Sequence, residues 1–355
     1  MALKGENLRI GCTAVIVIVL GLLGGCSTPG DPSGKMAARP KAAAGKPVLF
    51  TVDFQPGQTL RYKFLSSRKI TLDWDPRAQS STSKVQEQLE QLEMVVAYTP
   101  VEVDPYGISA IRAACESVKV TRAGAPGRRM AGADAVEIAQ GKSFTIKVDP
   151  RGKIVDNSEL KSLVQGMGKN AFRGDTGSRR IKEPDMIGDF IASQWFLWDA
   201  ESSVEQPAGG VSPGQTWQSQ LSVPTPMVMR KARDVTYRLD EVRETDKGRM
   251  AVIKSTYTLA EKAPTNWPVP YSGRFRMSGT FGFLGAYQPS SLAGDGQELF
   301  NVDAGRVENY QQKYTVEMDA SLPPIGIQAN PHIRIDQTLT MELMNPQTQN
   351  PKPES

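Results

Sequence analysis

The chain predicts a mainly β protein of the α+β kind, in which a curved antiparallel sheet, built from two similar halves, wraps around two central helices. Three observations carry this reading. After residue 47 apolar residues recur at every second position, the period of a strand with one buried face. Asp-Pro-x-Gly turns connect such runs directly. One interval, residues 156–200, departs from period two and places apolar residues at three-and-four spacing.

Residues 1–25 read as a signal peptide. Lys4 and Arg9 supply a basic start, and Ile10 to Leu23 an apolar core. The apolar run is shorter than the ~20 residues a membrane-spanning helix needs. Leu23-Gly24-Gly25-Cys26 then resembles the lipobox of bacterial lipoproteins. The resemblance implies cleavage after Gly25 and acylation of Cys26. Buried methylenes contribute roughly 0.8 kcal/mol each, and more than one chain makes attachment stable. Ser27 is not the Asp that retains such proteins in the inner membrane, so the expected place is the outer membrane, facing the periplasm. Residues 26–46, small, polar and rich in Pro and Gly, form a flexible tether that spans roughly 25 Å as a coil and about 70 Å stretched.

The first half, residues 47–155, carries Leu60, Tyr62 and Phe64, then Ile70, Leu72 and Trp74, then Phe144, Ile146 and Val148 on one strand face. Lys84 to Glu93 has both periods, and its direct run into Met94, Val96 and Tyr98 favours one long strand. Asp104-Pro105-Tyr106-Gly107 and Asp149-Pro150-Arg151-Gly152 place Pro and Gly at the second and fourth positions of type I turns. In residues 156–200, Leu160, Leu163, Val164 and Met167 predict one amphipathic helix, and Pro184 opens a second that runs through Ile187, Phe190, Ile191, Gln194 and Trp198.

The second half, residues 201–344, returns to period two at Val235, Tyr237 and Leu239, at Phe275, Met277, Phe281 and Phe283, at Tyr314, Val316 and Met318, and at Ile333, Ile335, Leu339, Met341 and Leu343, interrupted by Gln337. It also echoes the first. Pro56-Gly57-Gln58-Thr59 recurs as Pro213-Gly214-Gln215-Thr216, and Tyr98 with Glu102-Val103 as Tyr237 with Glu241-Val242, which suggests two related halves. Residues 345–355 read as a disordered tail.

Composition narrows the chemistry. The chain has 355 residues and a formal charge of +4, which falls to +3 once Lys4, Arg9 and Glu6 leave with the signal, too little to argue for nucleic acid. Of three cysteines, Cys12 leaves with the signal and Cys26 is acylated, so Cys115 has no disulfide partner and reads as a small buried hydrophobe. His332 is the single histidine, so no His pair can bind a metal. Gly141-Lys142-Ser143 ends like a phosphate loop but has Val136 where that motif needs its first Gly. The chain reads as a non-enzyme with no cofactor and no metal.

About ten strands at ~4.8 Å spacing and ~20 Å length present roughly 960 Å² of apolar face, of which helices of about 11 and 15 residues cover roughly 390 Å². The rest is buried by the sheet itself or by a ligand. In the second case the stripe Ile187, Phe190, Ile191, Trp195 and Trp198 lines a lipid site, with Lys169, Arg173, Arg179, Arg180 and Lys182 meeting anionic headgroups. Two readings stay open: a membrane-anchored lipoprotein that binds or transfers a lipid or lipidated partner, and a structural or interaction lipoprotein with a closed core.

Phe144 to Val155, the helical stretch after it and Val211 to Trp217 resemble an uncharacterised family of bacterial envelope lipoproteins. The order of strands, helices and strands is similar to the LolA and LolB carriers, which implies a curved sheet around an apolar cavity for acyl chains.

Overall fold

A computed structural model describes residues 46–76, 85–124, 133–172, 180–181, 185–205, 209–227, 229–271, 275–277, 279–322 and 330–344. The signal, Cys26, nearly all of the tether, Arg173, Arg179, Lys182 and the tail from 345 lie outside the described residues. The strands, in chain order, are Leu60–Asp73 (β1), Val85–Val103 (β2), Ser109–Ala123 (β3), Ser143–Val148 (β4), Ile154–Asp156 (β5), Arg180–Ile181 (β6), Thr216–Ser222 (β7), Ala232–Thr245 (β8), Gly248–Leu259 (β9), Arg276–Met277 (β10), Gly285–Asn301 (β11), Arg306–Ser321 (β12) and His332–Leu343 (β13). Among the described residues, eleven of them form one curved, open antiparallel sheet in the order β5-β4-β3-β2-β1-β13-β12-β11-β9-β8-β7. The pair β6 and β10 is separate and parallel.

Period two is realised as rows across this sheet. Leu92, Ser66, Leu339, Gln312, Gly296, Ser255 and Tyr237 are successive register partners on the inner face. The neighbouring row runs Arg122, Glu90, Arg68, Gln337, Tyr314, Gly294, Tyr257. Alternate residues on the other face remain partly or fully exposed and pair their charges, as Lys63 with Glu93 and Lys69 with Glu87 do.

Helices cover the inner face. Ser158–Ala171 (α1) buries Leu160, Val164 and Met167, the residues its spacing put on one side. Ile187–Phe196 (α2) buries Ile187, Phe190, Ile191 and Phe196, and the short Asp199–Ser202 (α3) follows. Phe196 stacks on Tyr310 at 4.8 Å and meets Phe64 edge-on, while Phe190 meets Phe144 edge-on. Each such fully buried phenylalanine contributes about 1.5–3 kcal/mol.

Two expectations shift, and a third, that Pro184 opens the second helix, lies outside the described residues. That helix runs from Ile187, whose N–H donates to the Asp185 carboxylate at 3.0 Å. It also stops before Trp198, whose backbone leaves helical geometry. Phe281 and Phe283 lie in a helical turn, Gly279–Phe283 (α4), instead of on a strand: Gly279 takes φ +73°, and a Cβ on Gly282 would overlap the backbone of Met277.

The two Asp-Pro-x-Gly turns form as read. Gly107 N–H donates to Asp104 O at 3.0 Å and Gly152 N–H to Asp149 O at 2.9 Å. At Gly152 (φ +90°) a Cβ would also lie 2.7 Å from Trp198 Cβ, so the turn and the packing of the ring both require glycine. The echoed Pro-Gly-Gln-Thr segments adopt one local geometry, Gln58 N–H donating to Gln55 O and Gln215 N–H to Ser212 O, both at 3.0 Å. The echoed tyrosines act alike too: Tyr98 hydrogen-bonds Gln194 and Tyr237 bonds Asp199, each tying a strand to the helices.

Candidate functional site

The inner face carries polar groups that a closed apolar core would not need. Arg68 of β1 is fully buried, with its guanidinium on Glu90 and, at 2.9 Å, on Asp189 of α2. Asp189 also accepts from Ser66 at 2.6 Å and from Gln337 at 3.2 Å. Arg122 bridges Glu90 and Asp134. Burial works against every charge here, and the outcome depends on partners. Arg68 is pushed up because Glu90 and Asp189 outweigh its desolvation. Glu90, facing two arginines, is held below the usual carboxylate range despite burial. Asp189 is raised, since burial exceeds what Arg68 and its hydrogen bonds return. Asp185 is pushed up to about 7 by burial and by the nearby charge of Asp134.

A second cluster lies under the other half. Glu201 of α3 and Glu298 of β11 face each other out of contact with water, and burial raises both. Asp199 accepts from Tyr237 at 2.7 Å and Ser219 at 2.9 Å, and burial pushes it to about 6. Arg233 lies between the faces of Tyr257 and Tyr314, at 5.0 and 4.5 Å from their centroids, and donates to Ser222 O and Gln312 Oε1. These carboxylates converge in the closed interior rather than in a cleft.

The cleft is elsewhere. A cavity of about 260 Å³ opens between the first turns of α2, the segment that follows β7 and the segment that follows β9. Gly188 and Ile191 form its helical side; Val223, Pro224, Pro226, Met227 and Met229 a second; Trp267, Pro268, Val269, Pro270 and Tyr271 a third, with Met277 of β10. Four of these residues are prolines, which bring no N–H to the wall. The loops are also pinned. Val223 N–H donates to Lys231 O at 3.0 Å, Thr225 Oγ1 to Met227 O at 2.8 Å, and Arg230 to Thr265 O at 3.2 Å. The polar part of the lining is Asp185, Ser222, Thr225, Arg230 and Lys231. Asp185 Oδ1 accepts from the Ile187 N–H at the start of α2, but its Oδ2, out of contact with water, has no hydrogen-bond partner.

A larger hollow of about 570 Å³ lies on the outer face over β7, β8, β9, β11 and β12. It is lined by Thr, Gln and charged side chains, and its Arg238 and Lys254 are already paired with Asp240.

Of the stripe read from sequence, Ile191 lines the cavity. Ile187, Phe190 and Trp198 are in the core, where Trp198 meets Phe54 and Tyr98, and Trp195 is partly buried against it. Of the basic residues, Lys169 is in the last turn of α1 and Arg180 in β6; the bases on the cavity are instead Arg230 and Lys231. Sequence reasoning missed the Pro-rich walls because they have no period. Their signal was apolar residues stranded between prolines, Val223-Pro-Thr-Pro-Met227 and Trp267-Pro-Val-Pro270. Cys115 is buried, its thiol pushed up to about 12 by desolvation, and His332 contacts Asp319 at 3.0 Å on the surface. Among the described residues no three His, Cys, Asp or Glu side chains group as a metal site, and no helix is long and apolar enough to cross a membrane.

No family model matches the chain, and no curated protein matches it. Among solved structures, the chain is similar to one described as lipid-protein interactions in lipovitellin, at 11% identity and a TM-score of 0.39, over 85% of this chain and 27% of that one. The chain thus spans about a quarter of that protein's length. A likeness of this degree carries no argument about ligands.

Proposed function

We propose that the chain is a non-catalytic envelope lipoprotein, anchored through Cys26 and facing the periplasm of the outer membrane, that binds one lipid segment in the cavity beside α2. The observation that carries the binding is the cavity itself, about 260 Å³ walled mainly by carbon. Its size sets a limit. An engineered apolar cavity of roughly 150 Å³ holds benzene, so this one holds part of a lipid, one chain segment and what joins it to a head, rather than a whole bilayer lipid. The anchor rests on the Leu23-Gly24-Gly25-Cys26 sequence and its basic, then apolar, lead.

The closed-core reading keeps one observation in its favour: Phe190, Phe196 and Trp198 make aromatic contacts across the inner face. The experiment is to express the full chain, extract it from membranes and identify what it releases on denaturation. Binding predicts a stoichiometric lipid that disappears in Met229→Trp, which narrows the cavity from a partly exposed wall; an unchanged, lipid-free protein would leave the closed-core interaction protein. Cys26→Ala should release the protein from the membrane fraction, and retention there would overturn the anchor.

A further inference from the structure

We infer that β7 is the docking edge for a second copy of this chain: two β7 strands pair antiparallel about a two-fold axis at Ser219, with Gln218 of each opposite Gln220 of the other. A sheet edge offers unpaired N–H and C=O groups to any strand that reaches it, and folded proteins close such edges with charges, prolines, bulges or covering groups.

Other free edges of this sheet are closed in these ways. The Val120 N–H of β3 donates to Glu137 Oε1 at 2.7 Å, and the Thr145 N–H of β4 to Glu159 Oε2 at 2.6 Å. The end strand β5 is three residues long. Where β11 runs past the end of β9 it carries Pro289 and two register shifts. Where β8 runs past β7 it has a bulge after Leu239 and the exposed charges of Glu241, Arg243 and Glu244. By contrast β7 is seven residues, Thr-Trp-Gln-Ser-Gln-Leu-Ser, without charge, proline or glycine and in unbroken register with β8.

The ladder fixes which of its groups point outward. Val223 N–H donates to Lys231 O at 3.0 Å and Leu239 N–H to Gln215 O at 3.1 Å, so the odd-numbered residues bond β8. Thr216, Gln218 and Gln220 therefore turn N–H and C=O away from the sheet, and all three are exposed. Only at the end of the strand is an outward carbonyl used, Ser222 O accepting from Arg233 at 2.8 Å. An antiparallel partner must set its own outward residues against these, even against even. In the register centred on the strand, β7 meets itself in that way: Thr216 faces Ser222, Gln218 faces Gln220, and Ser219 faces Ser219. The glutamine amides can bond each other across the seam, Trp217 comes opposite Leu221 on the inner side, and no like charges meet. Pairing of this kind uses up the edge of both copies, so it closes at a dimer and does not grow into a fibre. A strand of about 24 Å buries little area, so the dimer should be concentration-dependent. Ser222 also lines the cavity beside α2, which sets the seam next to the cavity of each copy.

Ser219→Cys in the full-length, membrane-bound protein tests the register, because directly opposed residues of a non-hydrogen-bonded pair stand about 4.5 Å apart, within disulfide range. Mild oxidation should give a disulfide-linked band of twice the monomer mass, which the unaltered protein, with Cys115 buried, should not give. Gln218→Cys and Gln220→Cys, each two residues out of step with its own copy, should link far less. Gln218→Pro removes an outward N–H and no bond to β8. It should keep the urea midpoint of the unaltered protein at high dilution, abolish the Ser219→Cys link, and sediment as a monomer where the unaltered protein sediments as a dimer. No link at position 219, stronger links at 218 or 220, attachment to a different protein, or a dimer that survives Gln218→Pro would each overturn the pairing.

Discussion

Arg68 of β1 and Asp189 of α2 are joined at 2.9 Å with neither side chain exposed to solvent, an ion pair between residues 121 positions apart that fastens the helical layer to the centre of the sheet. The same guanidinium holds Glu90 of the neighbouring strand, so one side chain bridges β1, β2 and α2.

Breaking that bridge from the basic side should be severe. Arg68→Met leaves Glu90 with Arg122 as its basic partner and leaves the buried Asp189 with only the neutral donors Ser66 and Gln337; loss of one partner of a buried pair costs about 3–5 kcal/mol. Asp189→Asn keeps one oxygen for Ser66 and Gln337, turns an NH2 toward Arg68 and leaves Arg68 its second acid, so it should cost less than Arg68→Met. Urea unfolding of both variants checks the order. Equal losses would mean that the sheet, and not the helix contact, sets the stability.

The pH dependence follows from the other cluster. Burial raises Glu201 and Glu298, and raises Asp199 to about 6. A carboxyl with a higher pKa in the folded state binds its proton more tightly there. Its contribution is therefore whole below the unfolded pKa near 4 and is lost as pH rises through the folded value. For Asp199 that loss is on the order of 3 kcal/mol, complete above pH 6. Glu90, held low, works in the opposite sense and gains as pH rises from acid. Glu298→Gln isolates the pair: it removes the proton that Glu298 must carry but can still donate to Glu201. Relative to the unaltered protein it should gain stability between pH 5 and pH 8. Unfolding curves that shift in parallel at both pH values would show that the two glutamates do not titrate together.

Much of this polar interior was present in the strand period and still not legible. Arg68 shares a face with Phe64 and Ile70, Glu90 with Leu92 and Met94, Glu298 with Phe300, and Gln337 was visible as a break in its strand. Parity says that such a side chain points inward; it does not say what it meets. Gln337 bonds Ser66 across 271 residues and Arg68 bonds Asp189 across 121, and those partners exist only once the sheet order is known. The strand runs named from period two, the two turns and both helices, by contrast, depend on neighbours in sequence, and they form where that reading puts them apart from the end of the second helix and the glycine-rich turn at α4, while β3, β7, β9 and β11 have no such run assigned to them. The cavity is the extreme case, since its walls come from connections without any period.

Cys115 offers a check on the closure of the first half. It lies in β3, between β2 and β4 in the sheet, its thiol is buried, and desolvation pushes it up to about 12, so almost no thiolate exists at neutral pH. A disulfide reagent at pH 8 should label it only at the rate of global unfolding, with full labelling in urea. Labelling within seconds in native buffer would mean that this part of the sheet opens on its own.

Gly168 separates helix stability from the site. It lies in α1, where alanine would improve helix propensity by about 1 kcal/mol. Yet a Cβ there would overlap the carbonyl oxygen of Pro270, whose residue is part of the cavity wall. The glycine is therefore what lets the Trp267 to Tyr271 segment lie against α1. Gly168→Ala must move either the helix or that segment, and the helix is held by Leu160, Val164 and Met167 in the core. The segment should give way, so the variant should unfold within about 1 kcal/mol of the unaltered protein, the propensity gain offsetting the lost contact. Binding of a fluorescent fatty acid should weaken severalfold at the same time. Unchanged binding in a stable Gly168→Ala would show that this wall takes no part in holding the ligand.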